Sequence, residues 1–209
     1  MEVFEVKMKR LALLTATLVV LGAGIVYAGS PWGDYQGYAK VRVQLNNEGV
    51  PTGDVPAFMI DGRVVLPLRE LSDSLQAMVK WDDESKTAYL YKPNVHMFVA
   101  KDIAKDDSPK TPFGKVSQGN KLDFVVAAQV DSLATPIQSF KIDLVSPEGA
   151  VIRSTNAVAL QDGKDSFWYS WPLESVSFDS YGKYKVQFKI KLDDIRDYAV
   201  VSEKTIISE

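Results

Sequence analysis

Residues 57–91 read AFMIDGRVVLPLRELSDSLQAMVKWDDESKTAYLY, and their order of apolar and polar positions spells out a small folded unit. Phe58, Met59 and Ile60 run into Asp61-Gly62, and Val64, Val65 and Leu66 run out again. Asp-Gly between apolar runs predicts a two-residue type I′ hairpin, which needs positive φ at both central positions. Pro67 suits the first turn of a helix, where its missing N–H costs nothing and its φ is already right. Leu68, Leu71, Leu75 and Met78 recur at spacings of three and four, while Arg69, Glu70, Ser72, Asp73 and Gln76 fill the other face. After Met78 the period becomes two, with Val79 and Trp81 on one side and Lys80 on the other. The polar turn Asp82 to Lys86 leads into the β formers Thr87 to Tyr91. Upstream, Val41, Val43 and Leu45 alternate with Arg42 and Gln44, which predicts one more strand before the turn Asn46-Asn47-Glu48-Gly49. The expected order is β-β-β-α-β-β, an antiparallel sheet around one helix.

The segment PLRELSDSLQAMVKWDDESKTAYL, residues 67–90, resembles the copper amine oxidase N-terminal-like domain, also called the stalk domain. That pattern is a Pro-Leu-Arg helix start, a Leu-Gly near the helix end, then Val-x-Trp-Asp and a Lys-Thr strand. Pro67, Leu68, Arg69, Leu75, Val79, Trp81, Asp82, Lys86 and Thr87 match it, and Pro67, Arg69, Leu75, Trp81 and Asp82 serve as the fold signature. Gln76 stands where the family usually has Gly, at a position where Gly would ease a left-handed helix end. The resemblance spans residues 38–93 and implies an appended module, because the oxidase chemistry of such enzymes belongs to a separate catalytic domain. A copper site of that kind wants several imidazoles, and His96 is the only histidine in the chain. No Asn-Tyr pair resembling the quinone precursor occurs. The expectation is therefore a non-enzyme with no catalytic residue, no cofactor and no metal.

At the N-terminus Lys7, Lys9 and Arg10 precede an apolar run from Leu11 to Val26, and Val26-Tyr27-Ala28 has the small residues of a cleavage site. Residues 1–28 are read as a secretory signal and 29–37 as a tail. Glu2 and Glu5 are unusual in such a leader, so Met8 is an alternative start to Met1. The run falls short of the roughly 20 residues of a membrane span. Membrane contact is expected only through this segment if it stays uncleaved. The chain has no cysteine, which points to a bacterium with a Gram-positive-type envelope, whose exported proteins often lack disulfides. Removing residues 1–28 takes three basic and two acidic groups from totals of 24 and 27, leaving a net charge of about −4. That balance argues against nucleic acid and against an anionic polymer as an electrostatic partner.

Beyond Pro93 the composition turns to strands, at residues 95–100, 121–130, 137–145, 150–154, 166–171, 183–191 and 198–207. Seven short strands separated by turn residues predict an all-β immunoglobulin-like sandwich over residues 94–209. Ser146-Pro147-Glu148-Gly149 reads as a tight turn, and Tyr184 is the candidate for the tyrosine that ties the corner at the penultimate strand. Lys101 to Gly119 reads as a long irregular surface loop.

Few residues invite chemistry. Asp82-Asp83-Glu84 and Asp193-Asp194 read as solvated turns, and Asp102, Asp106 and Asp107 as the least implausible cation group. His96, in a strand-like run with Met97 and Phe98, is read as structural. In Phe167-Trp168-Tyr169-Ser170-Trp171, alternation puts Phe167, Tyr169 and Trp171 on one side, expected inward, and leaves Trp168 on the surface as a possible ligand contact. Trp32 and Tyr35, with Tyr38, form a second aromatic group. The functional expectation is a secreted or cell-surface interaction or scaffold module whose partner is an extracellular protein or a cell-wall glycan. The alternative is a polysaccharide-binding module that uses exposed aromatics.

Overall fold

The computed structural model describes residues 30–105, 108–160, 164–193 and 197–209. The first half carries β1 (Asp34–Tyr35), β2 (Tyr38–Ala39), β3 (Gln44–Leu45), β4 (Glu48–Gly49), β5 (Phe58–Ile60), β6 (Arg63–Val65), helix α1 (Leu68–Ser74), β7 (Met78–Asp82) and β8 (Thr87–Tyr91). Next come β9 (Asn94–Ile103), β10 (Pro109–Pro112), β11 (Lys115–Val116), β12 (Lys121–Asp131), β13 (Ser139–Val145) and β14 (Val151–Ser154). The last are β15 (Val158–Ala159), β16 (Phe167–Ser177), β17 (Gly182–Lys191) and β18 (Ala199–Ser208). The described residues divide into two units, 30–42 with Pro56–Val65 and Val43–Val55 with the described residues from Leu66 to Glu209.

In the first unit the Asp61-Gly62 hairpin forms as its sequence demands, with φ of 48° and 73° at the two turn residues and Phe58 opposite Val65. Tyr35 and Tyr38, on the β1–β2 hairpin, pack their rings 5.6 and 5.7 Å from Phe58. Lys40 bridges to Phe58, so the backbone that precedes Arg42 closes on this hairpin.

In the second unit the expected strand through Leu45 is reduced to a two-residue ribbon. Gln44 pairs with Gly49 and Leu45 with Glu48, and Asn46 and Asn47 both take positive φ, 52° and 68°. Asparagine tolerates that conformation, so the polar stretch folds into a hairpin of its own. The helix also differs from expectation. Pro67 is its N-cap residue with extended ψ of 125°, and Leu68 is the first helical residue. Proline's fixed φ is met, but its ψ turns the chain into the helix from a strand. The helix stops at Ser74, and Met78 begins β7. Leu68 is exposed, whereas Ser72 is buried and its hydroxyl donates to the Leu68 carbonyl at 2.5 Å. The short helix thus presents Ser72, with Ala77 and Met78 after it, to the interior. The strand pairs from β3 to β8 are separate two-stranded ribbons.

All seven strands expected beyond Pro93 are present, and only Lys92 and Pro93 separate β8 from β9. They lie in two sheets, one ordered β10-β9-β12-β16 and one ordered β11-β18-β17-β13-β14, with β15 also pairing β13. The stretch Lys101 to Gly119 is not irregular throughout: β10 doubles back on β9, and β11 runs parallel to β18. The sequence signal was masked by Pro109 and Pro112, which sit at a sheet edge where a missing N–H is tolerated. The sheets share one core that includes Val99, Phe124, Val126, Phe140, Ile142, Phe178, Phe188 and Ile206. Phe140 lies at its centre, 4.8 Å from Phe167, 5.1 Å from Tyr169 and 5.1 Å from Phe188. Each such side chain taken out of water contributes about 1.5–3 kcal/mol.

Candidate functional site

Alternation along three neighbouring strands builds the site. On β9 the side chains of Val95, Met97 and Val99 enter the core, so Asn94, His96 and Phe98 face outward. On β12 Val126, Ala128 and Val130 point inward, leaving Val125, Ala127, Gln129 and Asp131 outside. On β16 Phe167, Tyr169 and Trp171 pack on the core, as expected, and Trp168, Ser170 and Pro172 face solvent.

Register then aligns these outward residues in rows. Gln129 pairs with His96 on one side and Trp168 on the other. Ala127 lies in the same way between Phe98 and Ser170, and Val125 between Ala100 and Pro172. Trp168 is 59% exposed and Phe98 40%. Ala127 is buried at the centre, and Gln129 Nε2 donates to Asp131 Oδ1 at 3.2 Å, which holds the amide in place. At one end of β16 an extra residue bulges out. Ser175 has φ of 52°, and its N–H donates to Asp123 Oδ1 at 2.6 Å.

Trp168 is therefore exposed on a sheet face beside Gln129, with His96 and Phe98 on the same face two strands away. The two outward ring positions come from different strands, and the signal for Phe98 was the alternation of Asn94, His96 and Phe98 with Val95, Met97 and Val99. Trp32 and Tyr35 belong to the first unit. Trp32 is 52% exposed with the Arg42 guanidinium 5.3 Å above its ring, and Tyr35 is partly buried against Phe58.

The family-signature residues do structural work. Asp82 Oδ1 accepts the N–H groups of Glu84 and Ser85 at 3.0 and 3.2 Å. The Ser85 hydrogen bonds are the main cause that lowers the Asp82 carboxyl from its ordinary value. Asp83 accepts from Lys86 Nζ at 2.8 Å and from Trp81 Nε1 at 3.4 Å, so the acidic run is a tied turn. Leu75 is the C-cap of α1. Arg69 lines a cleft of about 600 Å³ with Asp73, Met78, Leu192, Asp197 and Tyr198. Burial, then the neighbouring Glu70, raises the Asp73 carboxyl, with Arg69 opposing.

Among the described residues no group of three or more side chains is arranged to hold a metal ion. Asp106, Asp107 and Asp194 lie outside the described residues, as do the leader at 1–28 and its Val26-Tyr27-Ala28 site. Asp102 accepts the N–H of Ile103 at 2.8 Å.

Residues 44–105 match the family model of the copper amine oxidase N-terminal domain. The match contains α1, the β7–β8 hairpin and β9, and it bears out the resemblance carried by Pro67, Arg69, Trp81 and Asp82. The domain so matched is a non-catalytic one. No curated protein matches the chain.

Proposed function

We propose that this protein is an exported, non-catalytic binding module of a bacterial envelope that engages its partner through the outward face of the β10-β9-β12-β16 sheet. The observation that carries the reading is the exposure of Trp168 and Phe98 on one face, since large apolar rings held out of a well-filled core mark interaction surfaces. The match to a non-catalytic domain supports the absence of enzymatic activity. The leader-like residues 1–28 support export, and the cysteine-free composition supports a Gram-positive-type envelope.

An immunoglobulin-like sandwich is the scaffold that best accounts for this face. The partition of β9, β12 and β16 into one sheet and β13, β17 and β18 into the other supports this reading, since A-B-E and C-F-G strands are divided in that way in such folds. Tyr184 supports the same reading, for its hydroxyl accepts the Ser180 N–H at 3.0 Å, just upstream on the chain. In this reading residues 38–93 form the stalk-like module and 94–209 the sandwich.

Cell fractionation of the native host with quantitative proteomics tests the address, and recovery of the full chain only in the cytosol overturns it. Binding of the purified chain to isolated envelope fragments tests the face. Trp168→Ala is expected to abolish most of that binding, and retention equal to the parent chain removes this surface from the account.

A further inference from the structure

Resting on the reading of this face as the binding surface, we infer that its ligand is an extended neutral glycan, laid diagonally from Trp168 to Phe98. The two rings occupy opposite corners of two adjacent rows, His96-Gln129-Trp168 and Phe98-Ala127-Ser170. Two strand spacings across and two residues along place them roughly 12 Å apart at the backbone. That separation suits two stacking platforms under one oligosaccharide chain better than a single aromatic clamp.

The chemistry between the rings points the same way. Each row pairs one ring with hydrogen-bonding groups, His96 and Gln129 beside Trp168 and Ser170 opposite Phe98, so apolar and polar contacts alternate across the face. A pyranose ring offers that pattern, an apolar C–H face bounded by hydroxyls, whereas an apolar protein partner would ask for a continuous hydrophobic patch. Ala127, at the centre, is 4% exposed, so the neighbouring side chains close over its methyl and the contacts on offer are those of the flanking rings and polar groups. Neither row contains a lysine, arginine, aspartate or glutamate, and the whole chain is net acidic, so an anionic polymer lacks a counter-charge here.

Isothermal titration of the purified full chain with cello- and chito-oligosaccharides, from the disaccharide upward, tests the inference. Affinity is expected to rise with length until the chain covers both rings, and then to level off. Trp168→Ala and Phe98→Ala are each expected to weaken binding of the longest oligosaccharide about tenfold. Tyr181→Ala, which removes a ring that is 72% exposed outside these rows, should leave it unchanged. Thermal unfolding of each variant shows whether the fold is kept. Length-independent binding, or full binding by Phe98→Ala, overturns the two-platform geometry. If no oligosaccharide binds while Trp168→Ala still abolishes binding to protein-only envelope extracts, the glycan assignment falls and the reading of the face stands. If Trp168→Ala changes neither, both fall.

Discussion

Asp143 and Lys189 form an ion pair at 2.8 Å on the side of the six-stranded sheet that faces away from the shared core, and Asp143 is fully buried there. The same oxygen lies 3.2 Å from Lys141 Nζ, and the other accepts from Ser154 Oγ at 2.5 Å. Lys141 pairs with Lys189, and Asp143 with Ser154, so one carboxylate ties three adjacent strands.

Asp143→Asn is expected to cost about 2 kcal/mol at neutral pH, because it leaves two ammonium groups without their charge partner. Burial pushes the Asp143 carboxyl up, but hydrogen bonds from Lys189, Ser154 and Lys141 outweigh it and hold the group below the ordinary carboxylate range. A carboxyl depressed in the folded state stabilises the fold above its unfolded value of about 3.9 and loses that contribution as pH falls through the lower folded value. Urea midpoints of parent and variant should therefore differ at pH 7 and converge in strong acid. A gap that stays constant down to pH 2 would contradict this account.

Gln76→Gly is expected to stabilise the chain by about 0.5–1 kcal/mol. Gln76 has φ of 56°, while Ala77 N donates to Ser72 O at 2.8 Å and Gln76 N to Asp73 O at 3.1 Å. Those two bonds make a Schellman helix end with glutamine where glycine is usual. An increase in melting temperature checks it, and a decrease would mean that the glutamine side chain contributes more than its backbone strain costs.

Tyr184→Phe should destabilise by about 1 kcal/mol by leaving the Ser180 N–H without its acceptor. The ring itself is buried against Phe178 at 4.9 Å, so packing is kept and the loss isolates the hydroxyl. Chemical denaturation with an unchanged m-value is the appropriate readout.

Gly182→Ala should destabilise more, by about 1–3 kcal/mol. Gly182 has φ of 131°, and an added Cβ would stand 3.1 Å from Pro147 Cβ. The position joins the entry of β17 to the Ser146–Gly149 turn, so thermal unfolding of the two sheets beyond Pro93 should report it.

Much of the fold was legible in local pattern. The Asp61-Gly62 hairpin, the site of α1 and the seven strands beyond Pro93 follow from turn chemistry and from periods of two and 3.6, which act within a few residues. Ser72 was not legible as an interior residue, because a seven-residue helix has too few turns for its apolar stripe to decide which side is buried. β10 and β11 were hidden because short edge strands draw their pairing from partners distant in sequence, β11 from β18 at the far end of the chain.

By itself the sequence determined the Asp61-Gly62 hairpin, the place of α1, the seven longer strands beyond Pro93, the stalk-type signature and the separation of Trp168 from Phe167, Tyr169 and Trp171, since side-chain alternation within one strand needs no partner. Only the tertiary structure decided that Phe98 and His96 on β9 share a face with Trp168 on β16, and that Asp143 is buried between Lys141 and Lys189. Register between strands is fixed by long-range hydrogen bonding and by core packing around Phe140. Neither is written in any one segment, so the neighbours of an exposed ring are a property of the folded chain.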